Sequence, residues 1–152
     1  HTANCGVALP VCPADADASG FGDPEGAPAL EKRPLEPGHH NWLVHRDLAD
    51  DVSTLEVIND QGGFHLPHAD LVHAIRAVER YSSRADEFHS ARGETEWDWS
   101  IRREGWAIRT RTRTLLTASA SAFRLRATLD AYEDEERVHC SNWDVTIPRD
   151  LV

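Results

Sequence analysis

The sequence predicts an all-β protein, an antiparallel meander sheet behind a Pro/Gly-rich N-terminal connector. Three observations predict it. Side chains alternate in polarity along residues 94–147, and a period of two is the mark of a half-buried strand. Short polar or acidic clusters separate the alternating runs. One hairpin register also satisfies both faces of the best-defined pair at once.

Taken in chain order, the first forty residues stand apart. Six of the eight prolines lie between Pro10 and Pro37, together with Gly20, Gly22, Gly26 and Gly38. Proline offers no N–H to a ladder, and ordering glycine costs entropy, so this stretch is expected to be neither helix nor sheet. Residues 1–40 therefore read as the end of a preceding domain plus an extended connector. The piece Gly6-Val7-Ala8-Leu9 would be the last strand of that domain. Residues 41–152 read as one antiparallel β domain, with order beginning at Trp42.

Trp42–Asp47 and Thr54–Ile58 are expected strands around a polar bend, Leu48–Ser53. Asn59-Asp60-Gln61-Gly62-Gly63 is dense in turn formers and should return the chain into Phe64-His65-Leu66. Asp70–Tyr81 is ambiguous. Leu71, Ile75 and Val78 fit a helical face flanked by good helix formers, whereas Val72, Ala74, Arg76 and Val78 fit a strand less well.

The C-terminal half is firmer. With Glu104-Gly105 as the hairpin loop, Asp98 faces Arg111, Glu96 faces Arg113 and Ser100 faces Arg109. On the other face Ile101 meets Ile108, and Trp97 and Trp99 lie over Thr112 and Thr110. A slip of one residue would invert every side chain, so this register is specified. Each opposed charge pair contributes about 0.2–1 kcal/mol. Burying a large apolar side chain contributes about 1.5–3 kcal/mol, so the tryptophan face should dominate. Thr117–Ser121 then bends the chain. Phe123, Leu125, Ala127, Leu129 and Ala131 follow on one face, against Arg124, Arg126, Thr128 and Asp130. After the acidic Glu133–Glu136 turn, Val138 and Cys140 keep one parity while Trp143, Val145 and Ile147 take the other. An extra residue near Ser141-Asn142 would explain the switch. Pro148 ends the ladder. The apolar faces need a covering layer, from residues 42–81 or from another domain.

A length of 152 residues suits one domain. The net charge of −10 disfavours nonspecific binding to nucleic acid or to an anionic membrane surface. Fifteen of the sixteen basic residues are arginine, so an arginine-rich face survives inside an acidic chain. No run approaches the roughly 20 apolar residues of a membrane helix, and no signal peptide opens the chain. His1 in place of Met suggests a processed chain or part of a longer one. Cys5, Cys12 and Cys140 lack zinc-type pair spacing and read as reduced thiols, with a Cys5–Cys12 disulfide as the alternative. The expected location is cytoplasmic.

None of the nine serines lies in a G-x-S-x-G elbow, so a hydrolase triad is not expected within these residues. His65 and His68 point to opposite sides of a strand unless Pro67 bends it. With His73, His39 and His40 they read as loop or solvent histidines rather than metal ligands. Trp97 and Trp99 would make a sugar-stacking platform if open, but beside Ile101 they read as core. The arginines 109, 111, 113, 124 and 126 would cradle phosphate, yet Glu94, Glu96 and Asp98 neutralise them. No residue is assigned a catalytic, cofactor-binding or metal-binding role, and no cofactor is expected.

Several segments resemble the tail of a known group. They are Ser90-Ala91-Arg92-Gly93, Arg102-Arg103-Glu104-Gly105-Trp106, Leu129-Asp130-Ala131-Tyr132-Glu133 and the close from Trp143 through Ile147-Pro148-Arg149-Asp150-Leu151-Val152. They resemble the X-Pro dipeptidyl-peptidase/cocaine-esterase-like (CocE/NonD) hydrolases. The likeness covers roughly residues 42–152 and is best after Ser90. It implies a C-terminal, non-catalytic accessory domain of an α/β-hydrolase-type serine hydrolase acting on peptide or ester bonds. The partners would be the catalytic and jelly-roll domains of the parent chain, with a possible homo-oligomer. Members read as extended around Asp70–Tyr81, so the resemblance implies a strand there. Asp86-Glu87-Phe88-His89 departs from the family's pattern. The alternative is a stand-alone β-sheet module binding a small apolar ligand or carbohydrate. A purely structural interaction piece is the third reading.

Overall fold

Alternation carried through consecutive segments lets each pair with its sequence neighbour, and the chain does so throughout. The computed structural model describes residues 25–150. Its strands are β1 (Arg33–Glu36), β2 (His39–Asp47), β3 (Val52–Leu66), β4 (Leu71–Arg84), β5 (Arg92–Arg103), β6 (Trp106–Ala118), β7 (Ala122–Glu133) and β8 (Glu136–Pro148). All pairings are antiparallel. The order runs β3-β4-β5-β6-β7-β8, with β1 and β2 both paired to β3. The protein is all-β, and its single sheet does not close. Asp70–Tyr81 lies within the extended β4, not a helix.

The connections are short and carry turn chemistry. Asp47 Oδ1 accepts the amides of Ala49 and Asp50 at 2.9 and 3.1 Å, tying the β2–β3 turn. Asp51, Asp70, Ala85 and Asp134 take positive φ at turns, as does Gly105 in the β5–β6 loop. Between β4 and β5 a single 3₁₀ turn, Phe88–Ser90, is pinned by the Ser90 hydroxyl. That Oγ accepts the Arg84 amide at 2.8 Å and donates to the Glu87 carbonyl at 2.6 Å.

Four sequence expectations are corrected. The connector is not free of sheet, because Arg33–Glu36 pairs with β3 and β2 begins at His39, ahead of Trp42. Asn59–Gly63 is not a turn but a bulge inside the continuous β3. Gly62 serves a close approach: it has φ +68°, and a Cβ there would sit 2.8 Å from the Gly38 nitrogen. At that point the outer partner of β3 changes from β2 to β1. The irregularity of β8 falls not at Ser141-Asn142 but at Val138, where Ala131 pairs with His139 and Tyr132 with Arg137. Finally, residues 42–81 do not cover the meander; they extend its layer.

With no second layer among the described residues, the core is minimal. Ala77 and Val78, on the interior strand β4, are the buried apolar side chains among the described residues. The expected strand at Gly6–Leu9 and the Cys5–Cys12 question lie outside the described residues.

Candidate functional site: two unlike faces of one sheet

Residues paired across an antiparallel ladder share a face, so the registers assign every strand side chain. Trp97, Trp99 and Ile101 pair with Thr112, Thr110 and Ile108 on one side. They pair with Ala77, Ile75 and His73 on the other. Continuing through β7, Leu125, Ala127 and Leu129 lead to Val145, Trp143 and Ser141 of β8. In the other direction the same face reaches Trp42 through Val57. With Trp106 opposite Arg103, all five tryptophans lie on this one face.

Among the described residues nothing sequesters this face. Trp97 and Trp99 are 41% and 42% exposed, and Trp143, Val145 and Ile147 are close to half exposed. The expectation that Trp97 and Trp99 form a core is therefore not met among the described residues. From the Gly93 row to the Ile101 row the charged residues on this face of β4–β8 are Glu79 and, at one corner, Glu133 and Glu136. Glu79 accepts the Tyr81 hydroxyl at 2.7 Å. That bond, with burial, raises the tyrosine's pKa.

One polar group is built into the apolar field. Trp99 Nε1 donates to His73 Nε2 at 2.7 Å, which requires an unprotonated Nε2 and places the proton on Nδ1. The His73 ring packs 4.8 Å from Phe64, and its buried Nδ1 has no partner. Desolvation, aided by Lys32, lowers the histidine's pKa. Lys32 itself lies over the Phe64 ring at 4.7 Å, so the segment leading into β1 passes on the tryptophan side.

The opposite face is a charge ladder. Asp60, Arg76, Asp98, Arg111 and Asp130 are successive opposed residues on β3 through β7, alternating in sign. Asp98 is the hub. Arg109 Nε donates to it at 2.7 Å and Arg111 Nε at 3.0 Å. Burial raises the Asp98 pKa, but those arginine bonds outweigh it and the net shift is downward. Glu94 is lowered by hydrogen bonds from Arg113 and Arg92. Arg124 and Arg126 engage Asp144 instead. The expected arginine row is present, therefore, but each member is matched by a carboxylate. Shallow depressions of about 440 and 520 Å³ on this side are floored by the same ion pairs.

The histidines do not converge. His65 approaches Asp70 at 3.0 Å, His73 faces the tryptophan side, and His39 and His40 lie on β2. Among the described residues no three His, Cys, Asp or Glu side chains are grouped to hold a metal. His139 Nε2 meets Ser141 Oγ at 2.8 Å on the exposed edge strand β8, with no carboxylate orienting the imidazole. No helix of the described residues is long and apolar enough to cross a membrane.

Sequence reasoning missed the Phe64–His73–Trp99 cluster and the outer half of the charge row. The first depends on a three-strand register. The second was hidden by assigning Asp60 to a turn; the sign alternation of Asp60, Arg76 and Asp98 was the available signal. The chain matches no protein-family model, curated protein or solved structure with which it was compared.

Proposed function

We propose that this chain is a non-catalytic β accessory module of a larger serine hydrolase of the X-Pro dipeptidyl-peptidase/cocaine-esterase-like kind. It acts by burying its tryptophan face at an interface, not by supplying reactive groups. One observation carries the reading: Trp97, Trp99 and Trp143 share an open, largely apolar sheet face with Trp42 and Trp106 at its margins, while the polar face is consumed in internal ion pairs. A contiguous apolar surface of this size is the kind found where proteins meet partners, membranes or ligands, and that supports the reading. The parent reaction would be attack of an activated serine on an ester or amide carbonyl, with serine, histidine and acid supplied by another domain. Two measurements test it. The purified chain should show no ester or X-Pro amide turnover sensitive to a serine-directed inhibitor, and such turnover would refute the assignment. The polypeptide encoded upstream should carry a G-x-S-x-G elbow, and its absence would detach the module from hydrolases.

A second reading rests on the side-by-side exposure of Trp97 and Trp99, an aromatic platform for a sugar ring. Quenching of red-shifted tryptophan emission by added oligosaccharide would favour it; unresponsive emission would remove it.

A further inference from the structure

We propose that the tryptophan face is occupied by the same face of a second copy of this chain, the two sheets forming a face-to-face sandwich. The inference rests on reading that face as an interface, and it names the occupant.

Area is the first argument. Over β4–β8 the nearly uncharged field is five strands wide and nine residues long, from Gly93 to Ile101 on β5. With strands about 4.8 Å apart and about 3.3 Å per residue, it spans roughly 24 by 30 Å, or about 700 Å². Stable interfaces bury about 800 Å² per partner, and side-chain relief adds to a projected area. One copy therefore supplies close to what a stable dimer needs.

Relief is the second. Trp97 and Trp99 raise a ridge along β5. Beside it Thr110, Thr112 and Thr114 of β6 form a low strip, bordered on β7 by Ala127, Leu129 and Ala131. Trp143, Val145 and Ile147 then raise a second ridge along β8. A two-fold axis parallel to the strands, passing over the β5–β6 boundary, sets each copy's Trp97–Trp99 ridge over the other's threonine strip and lays its β8 ridge over Leu55 and Val57 of β3. Such self-complementarity is what an isologous contact requires. A tryptophan opposite a threonine or alanine also suits the roughly 10 Å between packed sheets.

Charge is the third. The net −10 of the chain opposes self-association in general, but within the field that charge is confined to Glu79 and, at one corner, Glu133 and Glu136. The arginine–carboxylate rows point away on the opposite face.

The test is sedimentation of the purified chain from about 0.1 to roughly 50 µM, spanning the usual affinity range. The expected species has twice the 17.0 kDa of one chain, with blue-shifted tryptophan emission. Thr112→Arg puts an unpaired charge into the strip and should weaken the dimer on the order of 100-fold or more. Thr128→Arg, on the opposite face of β7, should leave it intact. Strand circular dichroism shows that both variants fold, and Trp97→Ala, which lowers the ridge without adding charge, must weaken the dimer too. A monomer at the highest concentration overturns the proposal, as does a dimer indifferent to Thr112→Arg. If the chain joined to its upstream domains is monomeric with buried tryptophans, a neighbouring domain is the occupant. That result overturns the second copy and leaves the accessory-module reading standing. Tryptophans open in both forms and quenched by sugar would overturn both.

Discussion

Replacing Gly62 with alanine should be far more damaging than the same change at Gly105, although the two share one backbone conformation. Their φ angles are +68° and +69°. The left-handed region costs an L-residue about 1–2 kcal/mol, and that part should be common to both variants. What differs is space. A Cβ on Gly105 meets nothing within 4 Å, whereas on Gly62 it lies 2.8 Å from Gly38 N and from the Pro37 carbonyl carbon. Backbone cannot swing aside as a side chain can, so Glu36–Gly38 must move. That movement sacrifices the pairing of β1 with Gly63, Phe64 and His65. Gly62→Ala should then cost at least ~3 kcal/mol, against ~1–2 kcal/mol for Gly105→Ala. Urea titration followed by tryptophan emission and circular dichroism reads the difference. With a slope of about 2 kcal/mol per molar, the two midpoints should lie roughly 1 M apart. Equal midpoints would refute the reasoning, since β3 would not then be crowded where its partner changes from β2 to β1.

Three further outcomes follow from the charge ladder and the histidine. Asp98→Asn should destabilise the fold by about 1 kcal/mol through two weakened arginine contacts, and a double-mutant cycle with Arg111→Ala should return a coupling of the same order. Asp98 and Glu94 have lowered folded pKa values. Their stabilisation is complete above the unfolded carboxylate range near ~4 and lost as pH falls through the lower folded values. Asp98→Asn should therefore flatten the acid limb of a stability–pH curve, and an unchanged limb would contradict the hub role. His73 is also lowered, so the folded state disfavours its cation. Stability should begin to fall as pH drops below the unfolded value near ~6.5 and level off only below the folded one. His73→Asn should remove that step, and proton NMR of the Trp99 indole should follow it in the parent chain.

The meander was legible because its determinants are local. Alternation fixes which side each residue takes, and the Glu104-Gly105 loop fixes register by length alone. The expected opposition of Asp98 to Arg111 and of Trp99 to Thr110 therefore appears residue for residue. The misreadings share a different cause. Asn59–Gly63 carries turn residues, but composition does not separate a reversal from a bulge that lets another backbone approach. Here the deciding partner, Glu36–Gly38, lies more than twenty residues away. Position along β8 failed similarly. The parity switch was visible, but whether Val138 or Ser141 stands out depends on the pairing of Tyr132 with Arg137.

What alternation cannot specify is the layer above the sheet. A period of two says that Trp97 and Trp99 face an apolar side; it is silent on whether that side meets this chain or another. The strands here are long, up to fifteen residues in β3, and each turn is short. Both features drive consecutive hairpins into one broad plane instead of folding half of them over the other half. A chain built this way uses its sequence on width, and width without a second layer among the described residues leaves the aromatic face half solvated. At about 25 cal/mol per Å², covering roughly 700 Å² of mostly apolar surface on each side is a gross driving force of about 35 kcal/mol, so the surplus left after the costs of association is still large against the net stability of a small domain. The interface and the fold are therefore coupled. A variant that opens the tryptophan face should lower the unfolding midpoint as well as the assembly, and should do so in a protein-concentration-dependent way.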